Sequence, residues 1–140
     1  MNYLRSAVVA AAITSIAFTS CKKKHTTSPQ SNLIGTWKPY INVADANGNG
    51  KWDANDAVDS LKSPYNLQFV SGGAGFLMLP GTSTSIGNFS WEFLSSNTYL
   101  KVTYPSSGST TQHIDSLSTS LLVLRDTTGI STVWQVFTKQ

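Results

Sequence analysis

The densest run of oxygen-bearing side chains lies at Asp45-Ala46-Asn47-Gly48-Asn49-Gly50-Lys51-Trp52-Asp53-Ala54-Asn55-Asp56. Side-chain oxygens recur there at alternate positions. A hard divalent cation that takes six to eight oxygen ligands needs that spacing. The pattern predicts a calcium site. Asp45, Asn47, Asn49 and Asp56 supply side-chain oxygens, Lys51 its backbone carbonyl, and Asp53 an oxygen directly or through water. Gly50 permits the sharp turn, and Trp52 points inward as an apolar anchor. Position twelve is Asp rather than Glu, which shortens its reach for two-oxygen binding. With three carboxylates the affinity falls at about 10⁻⁴–10⁻³ M. The competing reading is a turn without an ion, because Asn, Asp and Gly favour turns on their own account.

The loop resembles an EF-hand or dockerin-type calcium loop. No amphipathic helix precedes it, and only Ala54–Leu61 could form a short helix after it. A catalytic reading finds less to work with. His113 and Asp115 stand two apart on an expected strand and share a face, with Ser116 beside them. Nothing places that serine on the other nitrogen of the histidine, and no Gly-x-Ser-x-Gly elbow occurs. No Cys or His cluster has zinc spacing. Glu92 alternates with Trp91 and Phe93 and reads as solvated. The chain is therefore expected not to be an enzyme.

Charge excludes another class. The 140 residues carry ten Lys and Arg against seven Asp and Glu, a formal +3. Arg5, Lys22, Lys23 and Lys24 precede every acid, so six basic and seven acidic residues follow position 32 and leave −1 there. Neutralising phosphates requires a basic face, and none can be built, so nucleic acid is not expected as a partner. Hydrophobic residues make up 40% and charged residues 12%, which is too apolar for a disordered chain.

Residues 1–20 read as a signal peptide: Arg5, then the apolar run Ala7–Phe18, too short to span a bilayer. Phe18-Thr19-Ser20-Cys21 resembles a bacterial lipobox. The resemblance implies that Cys21, the only cysteine, is diacylated through its sulfur and becomes the acylated amino terminus. Each buried CH2 contributes ~0.8 kcal/mol, so two or more chains such as palmitate give a stable membrane anchor. Residues 21–32 then form a lipidated flexible tether. Three lysines follow the cysteine where surface-exported lipoproteins of Bacteroidota usually carry acids. The expected address is the outer membrane of the cell envelope, facing the periplasm. Asp59-Ser60-Leu61, Asp115-Ser116-Leu117 and Asp126-Thr127-Thr128 resemble a short bacterial O-glycosylation signal, a pattern that chance also produces in a chain rich in Ser and Thr.

The elements that must position these residues are strands. Eight short runs are separated by Gly, Pro, Ser and Asn: Gly35–Val43, Tyr65–Val70, Gly75–Leu79, Gly87–Leu94, Tyr99–Tyr104, Thr111–Leu117, Ser120–Arg125 and Thr132–Thr138. Phe89, Trp91 and Phe93 alternate with Asn88, Ser90 and Glu92. Leu100, Val102 and Tyr104 alternate with Tyr99, Lys101 and Thr103. This period of two predicts an all-β domain over 33–140, an eight-stranded antiparallel meander closed as a barrel or folded as a sandwich. Closure is favoured because it removes exposed edges.

The opening Leu33-Ile34-Gly35-Thr36-Trp37, the Gly-rich turn after Phe69, the Trp91-Glu92-Phe93 strand and the late Ile114, Leu117 and Leu122 together resemble the short lipocalin-like domains of Bacteroidota lipoproteins. The central Thr-Asp-Tyr motif of lipocalins is absent. The resemblance implies that Gly35 and Trp37 close the barrel base and that a late basic residue, Arg125, packs on the indole. It also implies a non-catalytic, lipid-anchored module holding a small apolar or amphipathic ligand. The alternative is an interaction lipoprotein that meets a protein or glycan through its outer surface. The residues name neither the ligand nor a protein partner.

Overall fold

The computed structural model describes residues 28–60, 63–129 and 131–140. A short helix α1 (Pro29–Leu33) is followed by nine strands: β1 (Gly35–Ala44), β2 (Ala57–Ser60), β3 (Asn66–Phe69), β4 (Ala74–Met78), β5 (Ser85–Leu94), β6 (Tyr99–Tyr104), β7 (Gly108–Leu117), β8 (Leu121–Asp126) and β9 (Val133–Lys139). All eight runs read from the sequence are strands. From β3 to β9 each strand pairs antiparallel with the next, and β1 pairs with both β3 and β9. The eight strands β1 and β3–β9 therefore close on themselves as a barrel.

The ninth strand corrects the expectation of a short helix over Ala54–Leu61. Residues 57–60 lie along the second half of β1, with Val43 opposite Val58 and Ala44 opposite Ala57. β3 lies along the first half, with Trp37 opposite Leu67. Both therefore run along the same side of β1, separated by residues 61–65. The backbone groups of that side of β1 need partners, which favours strand over helix for a segment holding the β-branched Val58.

Three bulges curve the wall, each inserting one extra residue: Tyr40 in β1, Ile86 in β5 and Asp115 in β7. A bulge puts two consecutive residues on one face and so reverses inside and outside beyond it. In β1, Trp37 and Pro39 face in, while Ile41 and Val43 face out. Pro39 sits beside the bulge, where a strand tolerates a missing N–H.

The inner face carries the main core of Leu33, Trp37, Phe69, Phe89, Trp91, Leu100, Leu122 and Phe137. Its aromatics meet edge-on: Phe69 with Phe89 at 5.3 Å, Phe69 with Trp91 at 5.9 Å and Trp91 with Phe93 at 5.6 Å. Gly75 lies directly across from Phe89, and a Cβ there would collide with the phenyl ring. A second, smaller core of Val43, Val123, Trp134 and Val136 lies on the outer face, and the β1 bulge is what turns Val43 toward it.

Helix α1 stops one end of the barrel. Ser28 caps it by accepting from the Ser31 N–H, and Leu33 is fully buried among the inner residues. Residues 29–32, the last of the segment read as a tether, thus belong to this helix. Leu33→Ala should cost about 2–5 kcal/mol, read as a lower urea midpoint with an unchanged slope. Gly75→Ala should cost about 1–3 kcal/mol by overpacking. An unchanged midpoint for Gly75→Ala would show that Phe89 does not rest on Gly75.

Candidate functional site

At the end of the barrel away from α1, the interior is not filled. A cavity of about 240 Å3 is lined by Leu67 and Phe69 of β3, Val102 and Tyr104 of β6, Thr110 and Gln112 of β7, Leu124 and Asp126 of β8, and Gln135 and Phe137 of β9. The inward phase of each strand puts them there. The aromatic rings of β5 and β3 crowd one side, whereas β7 turns the slimmer Thr110 and Gln112 inward. Five lining residues are aliphatic or phenyl, and five are polar. Gln112 donates to the Gln135 side-chain oxygen at 2.9 Å. Asn42 stands opposite Gln135 on β1 and shares its face. Among the described residues, the buried Asn42 Oδ1 has no hydrogen-bond partner.

Two lining groups titrate. Burial, and after it the neighbouring Tyr65, push the Tyr104 phenol above its ordinary value of 10.0, so it stays a neutral donor. The Thr128 hydroxyl at 2.6 Å, and then the Thr128 N–H at 2.8 Å, hold Asp126 below its ordinary 3.8. Tyr104 also lines a wider vestibule of about 520 Å3 with Tyr65, Leu77, Ile86 and the 105–107 turn.

The closed end is built around Trp37, which is fully buried. Its Nε1 donates to the Leu33 carbonyl at 2.7 Å. The cation over its ring is Lys139, whose Nζ stands 5.1 Å from the centroid and donates to the Asn32 carbonyl at 2.8 Å. Such a contact contributes ~0.5–2 kcal/mol. Arg125 does not take this place, contrary to the expectation. The β8 register points it outward opposite His113, and the β9 register brings Lys139 opposite Trp37. Gly35 has φ +133°, and a Cβ there would press on the Lys139 stem.

Arg125 instead joins a polar cluster on the outer wall. The bulged Asp115 accepts from Arg125 Nε at 3.0 Å and from Trp134 Nε1 at 2.8 Å, and lies 2.6 Å from His113 Nδ1. His113 and Asp115 do share a face, but their partners are an arginine and an indole. The cluster borders an outer groove of about 450 Å3, walled by Lys51, Trp52, Ser116, Val123 and Trp134. Glu92 is solvated and pairs with Lys101 at 2.9 Å.

The 45–56 loop folds over this outer core. Asp45 is buried and accepts from the Asn49 N–H at 3.1 Å and the Gly50 N–H at 2.7 Å. Asp56 accepts from the Asp53 and Ala46 N–H groups. Asp53 receives the side-chain amides of Asn47 and Asn49. The Asn55 N–H, followed by those amides, holds the Asp53 carboxyl below its ordinary value. Asn49 also accepts from the Lys51 N–H. The loop is thus closed by its own donors. Among the described residues, no three His, Cys, Asp or Glu side chains stand close enough to hold a metal ion together. Trp52 does not point inward. It is 45% exposed and tilts against Trp134 on the outer wall, 6.4 Å between centroids. Cys21 lies outside the described residues.

No family model and no curated protein matches the chain. Among solved structures it is similar to a lipocalin-like protein from Bacteroides uniformis, with a TM-score of 0.51 and 15% identity. The match covers 78% of this chain and 99% of that one. The fold is lipocalin-like. Residue reading missed the lumen-lining Gln112, Gln135 and Asp126. Their inward phase was written in the alternation of β7, β8 and β9, but the void beside them depends on which rings fill the facing wall.

The Asp126 shift gives a pH dependence with a definite sign. Its folded value is depressed, so its contribution is present above the unfolded value, near pH 4, and is lost as pH falls through the folded value. Thr128→Val removes the larger cause. The Asp126 titration followed by NMR should then move up toward 3.8. A midpoint that stays put would show that Thr128 does not hold the carboxylate.

Proposed function

We propose that the protein is a non-catalytic binding module that holds a small amphipathic ligand in its barrel lumen and is tethered to the cell envelope by lipid on Cys21. The observation that carries the binding reading is the cavity of about 240 Å3, apolar on one part of its wall and polar toward the mouth. Sites for drug-sized ligands run to roughly 300–1,000 Å3, so the occupant is smaller than those. Few convergent polar groups over an apolar wall fix the orientation of a ligand, and burial of its body drives binding. Native mass spectrometry of the protein purified from its host should find a co-purifying small molecule. Thr110→Phe, which fills the lumen, should lose it while circular dichroism stays that of a β-barrel. Retention of the molecule by the filled variant would overturn the reading. The anchor is tested separately: Cys21→Ala should move the protein from the membrane to the soluble fraction.

A second reading, contact with a protein or glycan through the outer surface, is favoured by Trp52, which stands exposed at the rim of the groove with Lys51 and Arg125. Trp52→Ala should weaken such contact and leave lumen binding unchanged. Calcium in the 45–56 loop remains a proposal supported by the spacing of its oxygens. The Asn47 and Asn49 side chains would have to turn their amide nitrogens away from Asp53 to ligate. Millimolar calcium should raise the melting temperature of the wild type and not of Asp45→Ala. No rise in the wild type would overturn it.

A further inference from the structure

We propose that the lumen selects a small apolar ammonium ion, its positive head at Asp126 and its body against Leu67, Phe69, Val102, Leu124 and Phe137. This rests on the lumen reading and adds the charge of the ligand.

Among the described residues that line the cavity, Asp126 is the one with a formal charge. It follows Leu122 and Leu124 on the inner face of β8 and lies at the mouth end of that strand. Thr128 occupies its Oδ1. No Lys or Arg among the described residues forms an ion pair with it. Lys101 pairs with Glu92, Arg125 with Asp115, and Lys139 covers Trp37 at the opposite end. Lys51 lies along the outer groove.

The rest of the polar wall is mixed: the Tyr104 and Thr110 hydroxyls can donate or accept, and Gln112 and Gln135 keep spare amide N–H groups. Gln112 spends an N–H on Gln135, which leaves its own amide oxygen without a partner among the described residues. An ammonium group brings up to three donors and no acceptor, and it meets the Asp126 carboxylate and the free Gln112 oxygen with opposite charge and donors. A carboxylate brings only acceptors and a like charge. It meets Asp126 with repulsion. The volume of about 240 Å3 limits the body to something near a single ring or a short branched chain.

The test uses three probes of similar size: phenethylamine, 2-phenylethanol and 3-phenylpropionate. Each is titrated by calorimetry into the purified protein, Asp126→Asn and Thr110→Phe. The amine should bind at least tenfold tighter than the alcohol, and the carboxylate should not bind measurably. Asp126→Asn should bring the amine down to the alcohol and leave the alcohol unchanged. Thr110→Phe should abolish binding of both, with melting temperature and circular dichroism as the control for folding. Equal binding of amine and alcohol, or a preference that survives Asp126→Asn, overturns the ammonium proposal and leaves the lumen reading standing. Binding of none of the three, or amine binding that survives Thr110→Phe, overturns both.

Discussion

Pairing of β9 along β1 is the constraint on which the molecule depends. Seven residue pairs, from Trp37 opposite Lys139 to Ala44 opposite Val133, join the two ends of the sheet. An open sheet would present two unpaired edges, and closure removes them. It also fixes what stands at the base. With Lys139 across from Trp37, the lysine stem lies over Gly35, its ammonium over the indole, and its N–H bonds hold the Asn32 carbonyl. Gln140 donates to Thr36 next to it. Helix α1 is held to the barrel through these contacts and through Trp37 Nε1, so the stopped end and the closed seam form one unit.

The bulges divide the labour of the wall. One extra residue in β1 and one in β7 reverse the phase of each strand beyond it. Before the bulge, β1 feeds the inner core through Trp37. After it, Val43 joins Val123, Trp134 and Val136 on the outside. That outer apolar strip would be exposed without cover, and the 45–56 loop with Trp52 lies across it. The bulged Asp115 supplies the acceptor that the Trp134 indole N–H and Arg125 need. The loop whose oxygens suggest an ion therefore also acts as a lid on a second core.

Inside, the same logic separates filled from empty space. Phe69, Phe89, Trp91 and Phe93 interlock at edge-to-face distances and use up the room on the β3–β5 side. Gly75 makes space for Phe89 by carrying no side chain. On the β7–β9 side the inward residues are Thr110, Gln112 and Gln135, which are slimmer and polar. Polar groups away from bulk water require partners. Gln112 and Gln135 find one in each other, while the Asn42 oxygen has none among the described residues. Void and polarity thus coincide at this end of the barrel, which supports the proposed ligand site there rather than at the base.

Strand existence was legible in the chain because the period of two is local: Phe89-x-Trp91-x-Phe93 and Leu100-x-Val102-x-Tyr104 state their inner face whatever lies beside them. Turn residues such as Ser95-Ser96-Asn97 mark the breaks for the same reason, and Gly35-x-Trp37 marks the base. The choice of Lys139 over Arg125 at Trp37 was not legible, since it follows from the offset between β1 and β9, two strands about a hundred residues apart. Residues 57–60 became a strand because β1 offered unpaired backbone groups, which no local propensity records. The place and polarity of the cavity were decided last, by how rings from distant strands share one enclosed volume. Alternation is a property of one strand alone. Register, bulges and voids belong to pairs and layers of strands, and only the folded barrel assigns them.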